Sequence, residues 1–494
     1  MVKGERRHFR AYDEVHTASA AVVRAADEAA LRRALRRLSA EPGRRVTVRG
    51  GGFSLDAQAL GDDTALELAP EGFGGVREVA IARGRATVTA GAMATWAEVL
   101  EATAREGWVP PNTVTGRDIT VGGTLSADCL SRFSGAWGKE AESIVRVRLM
   151  RADGRVVVAR ADAPAGSLAR RVFDGAIGGL GGLGVVLDAT YALRRVSTPG
   201  RRPRVRTYFD PVGWRDFGWE SFLEQLRDET LHARRAVGAL GAKAWRAPLP
   251  QGIYDAVSAT AWFRRMGPRG LIISSRHVTR GALQPAAIYS GPDRLRLFAE
   301  RSMTTRLGSD VGQTLFKARH SLQPWSVDEL EPFMFFMEGN VAAHREARER
   351  GWRMTSSQQT FVLPEAEAAG FCAEVEAATA SLHPTVLDVL YLPADRGGCA
   401  LSPTRGLDGF AITLAYQTRD GARQPAVRRL LRSLARRCGE LGGRVSLVKN
   451  VHVADPTLRA MYADGLAGFR ALKSEVDPGG LFTNGLLDRL LADP

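Results

Sequence analysis

Three separated glycine clusters within the first 200 residues constrain the fold of this chain more than any other feature. Three consecutive glycines at 50–52 follow the alternating segment 45–49, two more stand at 122–123, and a third cluster runs from 178 to 184. Glycine tolerates positive φ, so such turns can direct several backbone N–H groups toward one point and bind an anion, above all a diphosphate. Judged alone, the first cluster could also be a tight loop without a ligand.

The third cluster contains a formal G-x-G-x-x-G pattern from Gly179 to Gly184, which is the fingerprint of dinucleotide-binding Rossmann folds. A Rossmann site needs a strand, then the glycines, then a helix. Here the helix-like stretch 168–173 precedes the glycines, and the strand-like alternation 185–191 follows them. This reversed order argues against a Rossmann fold.

Local patterns predict a chain that mixes helices and strands. Leu31, Leu35 and Leu38 predict a helix over 26–40, and Thr95 is a candidate N-cap of another helix. Alternating apolar residues predict strands over 45–49, 76–81, 86–90, 144–150, 156–158, 185–191, 271–278, 386–392 and 410–416. The composition changes at 199–203, where the glycine-rich character ends. Because 494 residues exceed the size of a single core, we place a domain boundary there.

Charge indicates the kind of partner. The net charge is +14, only six of the 68 basic residues are lysines, and the arginines are spread along the whole chain. Base-stacking motifs and a compact basic cluster between aromatic residues are both missing, so we expect no nucleic-acid partner. An anionic substrate, cofactor or lipid head group fits better. The predicted helix 426–438 has arginines on one face, which we interpret as solvated surface, with membrane or phosphate contact as the alternative.

Residue spacing also argues against several kinds of site. The four cysteines are far apart and show no C-x-x-C pair, and no cluster of His, Asp and Glu has suitable spacing, so we expect no disulfide framework and no metal. No apolar run of about 18 residues appears, so we expect no membrane span. The first residues are charged and lack an apolar segment, which predicts no secretory signal and a cytoplasmic location.

The order and spacing of three motifs resemble one family over the first 200 residues. The segments 46–54 (VTVRGGGFS), 120–126 (TVGGTLS) and 178–186 (GGLGGLGVV) are similar to the FAD-binding domain of the vanillyl-alcohol oxidase superfamily, of the p-cresol methylhydroxylase (PCMH) type. The closing segment 442–484 is also similar to that superfamily, in pattern closest to decaprenylphosphoryl-ribose oxidases and more distantly to sugar-lactone oxidases and cytokinin dehydrogenases.

The resemblance implies an α+β fold of two domains. Residues 1–200 would form a PCMH-type FAD-binding domain of two α+β subdomains, with FAD between them. Residues 201–439 would form a separate α+β substrate domain, an antiparallel sheet flanked by helices, and residues 440–494 would return to the FAD domain. The residues implied to bind FAD are Arg49, Gly50, Gly51, Gly52, Phe53, Ser54, Gln58, Thr115, Val121, Gly122, Gly123, Thr124, Ser126, Ile144, Gly179, Gly184, Val185 and Asn484.

The chain departs from its relatives where FAD would be covalently attached. Many of them bond FAD through a His between the third Gly and the Ser, where this chain has Phe53. Others use a Cys just before the Gly pair, where Thr120 and Val121 stand. We therefore expect FAD to be non-covalent. Leu130 and Arg132 stand where the ribose oxidases have a His and a Lys, and Thr115 stands where cytokinin dehydrogenases have an Asp base, so neither substrate can be transferred to this chain.

The candidate catalytic residues are Lys449, His452, Gln358 and Tyr416. Lys449 aligns with the active-site Lys of the related oxidase at the expected end of an apolar strand, where desolvation would lower its pKa. His452 is an alternative base, Gln358 could bind a substrate hydroxyl, and Arg132 could hold an anionic group. Each of these residues could also have a purely structural role; for His452 we favour a non-catalytic role, and for Tyr416 we favour packing.

The function that the resemblance implies is an FAD-dependent oxidoreductase. Hydride would pass from a C–OH carbon of a sugar-like or specialised-metabolite alcohol to flavin N5. The alternatives are oxidation of a C–N bond, a flavin-assisted cyclisation, and a non-catalytic binding protein on the same scaffold. The sequence leaves open the small-molecule substrate, the electron acceptor (oxygen, a quinone or another carrier) and the oligomeric state.

Overall fold

A computed structural model describes residues 5–263, 268–279, 306–382, 384, 386–395, 398–419, 421 and 423–492. Within these residues the chain forms three β-sheets with helices between and around them, which confirms the α+β fold class. A continuous core of buried apolar side chains runs through all three sheets, from Val23 to Leu490. All four cysteines are free thiols. Every helix of the described chain is too short or too polar to cross a lipid bilayer.

The first sheet has four strands in the order β1-β2-β4-β3. Its strands are β1 (Arg6–Arg10), β2 (Thr17–Ala25), β3 (Val46–Arg49) and β4 (Thr64–Leu68). Strands β2, β4 and β3 are parallel, and α1 (Glu28–Ser39) connects β2 to β3. Helix α1 begins at Asp27, whose side chain accepts a hydrogen bond from the backbone N–H of Ala30, and the predicted leucine stripe is buried.

The second sheet has the order β5-β6-β10-β8-β9 and is antiparallel. Its strands are β5 (Val76–Ala82), β6 (Arg85–Gly91), β8 (Ile144–Met150), β9 (Val156–Arg160) and β10 (Val185–Arg195), with the short β7 (Trp108–Val109) beside β10. The helices of this region are α2 (Pro70–Phe73), α3 (Trp96–Ala104), α4 (Val121–Ala127), α5 (Ser134–Trp137) and α6 (Leu168–Ala176). Thr95 and Glu98 form a capping box at the start of α3, as the candidate N-cap predicted.

The third sheet has eight strands in the order β14-β11-β13-β12-β16-β17-β15-β18, with antiparallel pairs. Its strands are β11 (Arg204–Val212), β12 (Ala256–Ala261), β13 (Gly270–Val278), β14 (Trp325–Glu329), β15 (Met354–Pro364), β16 (Val386–Leu392), β17 (Gly409–Arg419) and β18 (Arg444–Val445). The accompanying helices are α7 (Trp219–Leu240), α8 (Ala242–Arg246), α9 (Arg306–Leu322), α10 (Leu330–Met334), α11 (Glu338–Glu349), α12 (Glu365–Ala378) and α13 (Gln424–Glu440).

The C-terminal segment lies against the first sheet. It forms α14 (Asp455–Met461), α15 (Ala463–Val476) and α16 (Gly485–Leu491). Between the last two helices the chain runs parallel to β3, because the N–H of Val46 donates to the carbonyl of Leu481 at 2.7 Å and the N–H of Thr483 donates back to the carbonyl of Val46 at 2.9 Å. The end of the chain therefore contacts the strand that precedes the first glycine cluster.

Candidate functional site

Helix α4, which contains the second glycine cluster, contacts the first cluster. The N–H of Gly51 donates to the hydroxyl of Thr120, the N-cap residue of α4, at 3.3 Å. A Cβ atom on Gly50 would lie 2.7 Å from that same hydroxyl oxygen, which is closer than real Cβ atoms approach. At Gly51 a Cβ would meet the carbonyl oxygen of Asp118 at 3.0 Å. Positions 50 and 51 therefore require glycine, because the neighbouring atoms of 118–120 leave no room for a Cβ atom.

The third cluster packs against the other end of α4. The N–H of Gly178 donates to the carbonyl of Leu125 at 2.9 Å, and the N–H of Leu180 donates to the carbonyl of Ser126 at 2.8 Å. The side-chain N–H of Asn484 donates to the carbonyl of Leu180 at 2.8 Å. One seven-residue helix thus holds all three glycine clusters in one region of the molecule.

Backbone amides remain available in the first cluster. Within the described part of the chain, the N–H groups of Gly50, Gly52, Phe53 and Ser54 make no hydrogen bond. Gly52 has φ of +81°, and Gly50 is exposed. Successive unpaired amides in such a turn form a concave anion site. The loop 50–54 therefore fits a diphosphate, and we call it the amide cradle.

The second glycine cluster has a different role. Its residues lie in helix α4, where the N–H of Val121 donates to the carbonyl of Ala94 and that of Gly122 to the carbonyl of Ala92. Since these amides are already paired, α4 offers a close-packed surface of small residues. A Cβ on Gly122 would lie 3.0 Å from the carbonyl oxygen of Ala92, so this helix also packs too closely for a larger residue.

Several predicted cofactor residues hold the protein together around the cradle. The Arg49 guanidinium donates to the carbonyl of Ala59 at 2.7 Å, and its central carbon lies 4.4 Å from the ring centroid of Phe9. The hydroxyl of Ser126 donates to the carbonyl of Gly122 at 2.7 Å. Thr124 is buried and donates from its hydroxyl to a carboxyl oxygen of Glu140 at 2.8 Å.

The remaining predicted cofactor residues lie at strand starts, in loops or within α4. Ile144 is the first residue of β8, and Val185, directly after Gly184, is the first of β10; all three are buried. Gly179 is buried and contacts the ring of Phe469. Thr115 is half-buried, and its carbonyl accepts the N–H of Met337. Gly123 is exposed beside Thr120.

A polar face of the third sheet carries the candidate substrate site. The register aligns Thr260, Asp388, Thr413 and Thr360 in one row across β12, β16, β17 and β15. The hydroxyl of Thr260 donates to a carboxyl oxygen of Asp388 at 3.0 Å, and the hydroxyls of Thr360 and Thr413 lie 2.7 Å apart. Because side chains alternate along a strand, Gln358 lies on the same face as this row.

Lys449 reaches this polar face. Its Nζ donates to the side-chain oxygen of Gln358 at 3.1 Å. The next residue, Asn450, exchanges two hydrogen bonds with the backbone of Gln358, each of 2.8 Å. The expectation that Lys449 ends an apolar strand is wrong. Strand β18 stops at Val445, and Lys449 lies in a bend after it. The hydrogen bonds that Lys449 and Asn450 make with Gln358 take the place of a strand ladder there.

Gln58 connects the amide cradle to Lys449. Its side-chain N–H₂ donates to the carbonyls of Leu447 at 2.9 Å and Lys449 at 2.8 Å, and its side-chain oxygen accepts the N–H of Asp56 at 2.9 Å. We predicted Gln58 as a cofactor donor. In the structure all these groups bond to protein, so Gln58 fixes the position of Lys449 relative to the cradle.

Charged groups around Lys449 have shifted pKa values. Burial lowers the pKa of Lys449, against the opposing effects of Asp388 and Cys129. Burial also raises the pKa of Asp388, while the charges of Lys449 and Arg132 pull it down. Although protein surrounds Asp388 closely enough to desolvate it, the residue is exposed, so it faces an open space. The amine of Lys449 and the guanidinium of Arg132 both act on the charge of this carboxyl group.

The structure places the other two candidate catalytic residues away from this space. Tyr416 lies on the opposite, apolar face of the third sheet, 3% exposed, where its hydroxyl donates to the carbonyl of Leu382 at 3.0 Å. His452 stacks on His16 with a centroid distance of 5.9 Å, and desolvation lowers its pKa to about 4. Arg132 lies over the rings of Phe333 and Phe336.

Sequence reasoning missed two carboxyl groups. Asp388 interrupts the apolar strand β16, and a lone charge in a buried strand was the signal that could have identified it. Glu140 is buried under α4, where desolvation raises its pKa to about 8. It accepts hydrogen bonds from the hydroxyls of Tyr191 at 2.6 Å and Thr124 at 2.8 Å. No local pattern marks Glu140, because its partners come from distant segments.

Comparison with known proteins agrees with this geometry. Residues 19–160 match the family described as FAD binding domain. The chain is similar to cytokinin dehydrogenase 1 of Oryza sativa subsp. japonica, with 30% identity over 178 residues, 35% of this chain and 32% of that protein. It is similar to cytokinin dehydrogenase 2 of the same organism, with 30% identity over 165 residues, 33% of this chain and 28% of that protein. The chain thus spans less than a third of the length of the curated relatives that it matches. It contains an FAD-binding domain, and FAD is its cofactor.

Proposed function

We propose that this protein is an FAD-dependent oxidoreductase that oxidises a C–OH carbon of a small polar substrate. The observation that carries the proposal is the position of Lys449, whose Nζ donates to Gln358 while its carbonyl is tied through Gln58 to the segment that follows the amide cradle. One hydrogen-bonded unit thus joins the cofactor loop to a desolvated amine on the polar face of the third sheet.

The residues present fit a non-covalently held FAD. The unpaired amides of the cradle suit its diphosphate, and α4 allows a flat ring to approach the main chain. Phe53 and Val121 offer no atom that bonds covalently to a flavin. When bound, FAD supplies the acceptor for the hydride that leaves the substrate carbon. We further infer that residues 1–200 and 440–494 form the FAD-binding part, and that residues 201–439 cover the substrate.

Lys449 is suited to take the hydroxyl proton. Burial lowers its pKa, so a larger fraction of the amine is neutral near neutral pH than for an exposed lysine. Its bond to the Gln358 oxygen orients the nitrogen without adding charge. The substrate hydroxyl loses its proton to Nζ while a hydride leaves the carbon that bears this hydroxyl, and the product is a carbonyl compound. Arg132 provides a positive charge for an anionic substituent.

Oxidation of a C–N bond is the second candidate function. The similarity to two cytokinin dehydrogenases favours it, as does the accessible carboxyl group of Asp388, which can accept an N–H donor of an amine substrate. An amine that is already neutral needs no base before hydride transfer. The two candidates therefore differ in their dependence on Lys449.

The first experiment asks whether flavin is bound and how. Purified full-length protein should be yellow, and acid precipitation should release the flavin into the supernatant. Yellow colour that stays in the pellet would refute non-covalent binding. Colourless protein that takes up no added FAD would refute the oxidoreductase and support a binding protein.

The second experiment identifies the reaction. Under anaerobic conditions a panel of sugar-like alcohols and a panel of amines are mixed with the yellow protein, and bleaching of the flavin is followed. We expect alcohols to bleach it, and Lys449→Met to slow bleaching by about 10²- to 10⁴-fold while the colour remains. Lys243→Met, at an exposed residue of α8, is the matched control. Bleaching by amines alone would overturn the C–OH proposal, and oxygen or quinone added afterwards identifies the acceptor.

A further inference from the structure

We propose that His16, Asp56 and His452 form a binding site for a divalent transition-metal ion of the Zn²⁺ type. A ring nitrogen of each histidine and a carboxylate oxygen of Asp56 all lie within 4.8 Å of one another. The Nε2 atom of His16 lies 3.6 Å from Oδ1 of Asp56. In a tetrahedral zinc site, bonds of about 2.0–2.1 Å place the ligand atoms about 3.3–3.4 Å apart. Small side-chain movements therefore suffice.

The groups around these three residues hold them in place for metal binding. Nδ1 of His16 lies 2.6 Å from Oδ2 of Asp13, a carboxylate–histidine pair that turns Nε2 toward the site. Asp56 is fixed by the N–H groups of Ala57 at 2.7 Å and Val451 at 2.8 Å. Second carboxylates and backbone bonds of this kind orient metal ligands in proteins.

His452 provides an independent indication that this cluster binds a ligand. It is 5% exposed, and its Nε2 is buried with no hydrogen-bond partner in the described part of the chain. A buried polar nitrogen without a partner is unfavourable.

The charges around the cluster favour a cation. Asp13 and Asp56 are the carboxylates that face the two histidines, and Arg428 of α13 is the opposing positive charge. Against desolvation, the bond to Asp13 and the charge of Asp56 raise the pKa of His16, so a metal ion has to displace a proton from this ring. Once both histidines are neutral, these groups sum to one negative charge. Two imidazoles and one carboxylate are ligands that suit zinc, cobalt and nickel better than magnesium or calcium.

Such a metal would connect three segments that are far apart in sequence. Asp56 stands two residues after the amide cradle, His452 stands three residues after Lys449, and His16 belongs to the N-terminal segment before β2. The ion would therefore fix the cradle relative to Lys449, and its fourth position would hold a water molecule. The sequence expectation of no metal relied on local spacing, which does not detect ligands so far apart.

Metal binding can be measured without reference to enzyme activity. Full-length protein is treated with a chelator and dialysed, and Zn²⁺ or Co²⁺ alone is added. We expect one ion per chain by elemental analysis, visible absorption of bound Co²⁺, and a rise in melting temperature. His452→Gln and His16→Gln should lose all three, whereas His232→Gln, at an exposed residue of α7, should keep them.

Two outcomes would overturn the proposal: no bound ion in the wild type, or equal binding in the wild type and both histidine variants. Circular dichroism and FAD content, recorded for every sample, show that the variants are folded. Asp13→Asn is a second test, because it keeps the three ligands and removes the carboxylate charge that pairs with Nδ1 of His16. The side chain of Asp13 also accepts a hydrogen bond from Asn450, so the fold of this variant is checked in the same way. We expect this variant to bind Co²⁺ about 10- to 100-fold more weakly. Affinity equal to the wild type would assign Asp13 no role.

Discussion

Replacing Gly50 by alanine tests whether the amide cradle binds the diphosphate of FAD. Gly50 does not have positive φ, so alanine can adopt its backbone conformation, and the only obstacle is steric. The new Cβ would lie 2.7 Å from the Thr120 hydroxyl oxygen and 3.9 Å from the Cα of Gly123. The cradle or the start of α4 must therefore move.

The expected change in the Kd for FAD follows from the amides that this movement displaces. Gly50, Gly52, Phe53 and Ser54 offer N–H groups with no partner in the described chain. A hydrogen bond to a charged group contributes about 1.5–3 kcal/mol. Loss of one bond to the diphosphate should therefore raise the Kd for FAD by about 10- to 150-fold. Loss of two such bonds should raise the Kd by about 150-fold or more.

The assay is a titration of flavin-free protein with FAD, followed by flavin fluorescence, for the wild type and Gly50→Ala. Gly468→Ala is the matched control, because Gly468 lies within helix α15 and a Cβ added there would have nothing within 4 Å. The control should keep the wild-type Kd and gain about 1 kcal/mol of stability.

A double-mutant cycle identifies the physical cause. Thr120→Ala removes the hydroxyl that the new methyl group would meet, although it also removes the bond to the N–H of Gly51. If the steric contact is responsible, Gly50→Ala should weaken FAD binding less in the Thr120→Ala background than in the wild type. A folded Gly50→Ala protein with wild-type affinity would refute the assignment of the diphosphate to this loop.

Three further predictions concern charge and packing. Asp388→Asn removes a charge that raises the pKa of Lys449. The rate of anaerobic flavin reduction should rise with pH as the amine loses its proton, so this pH profile should move to lower pH in the variant. An unchanged profile would contradict the role of Lys449 as base. Tyr416→Phe should lower stability by about 1 kcal/mol in chemical denaturation and leave flavin reduction unchanged, because only a bond to Leu382 is lost. The buried ammonium of Lys139 pairs with the buried carboxylate of Asp128 and, at 3.2 Å, with the partly buried carboxylate of Asp395. Lys139→Met should therefore lower the free energy of unfolding by about 3–5 kcal/mol in chemical denaturation, and a loss under about 1 kcal/mol would show that water reaches these carboxylates.

The sequence predicted elements well where local signals agree. Strands β8 and β16 begin and end at the predicted residues, and α1 differs from its predicted range by two residues at the start and one at the end. At these places apolar periodicity coincides with a cap or a turn residue. Thr95 shows the same agreement, since its capping box combines a side-chain and a backbone signal in four residues.

Prediction failed where distant contacts outweigh local preference. Gly122 and Gly123 have low helix propensity, yet they lie inside α4, because a helix that packs directly on the backbone of Ala92 has no room for side chains. Lys449 was expected at a strand end, but bonds from Gln58 and Asn450 hold it in a bend. Neither contact is visible as a pattern in adjacent residues.

The way in which the predicted cofactor residues are used suggests how this site selects its ligand. The side chains of Gln58, Thr124, Ser126 and Asn484 are all hydrogen-bonded to other protein groups. Within the described chain, the hydroxyl of Ser54 makes no such bond and stands at the end of the cradle. The polar side chains therefore determine where the main chain lies, and in the proposed FAD site the main chain, together with Ser54, would provide the donors. Because backbone N–H groups in a rigid turn recognise charge and shape, the proposed diphosphate site needs no basic side chain within the loop 50–54.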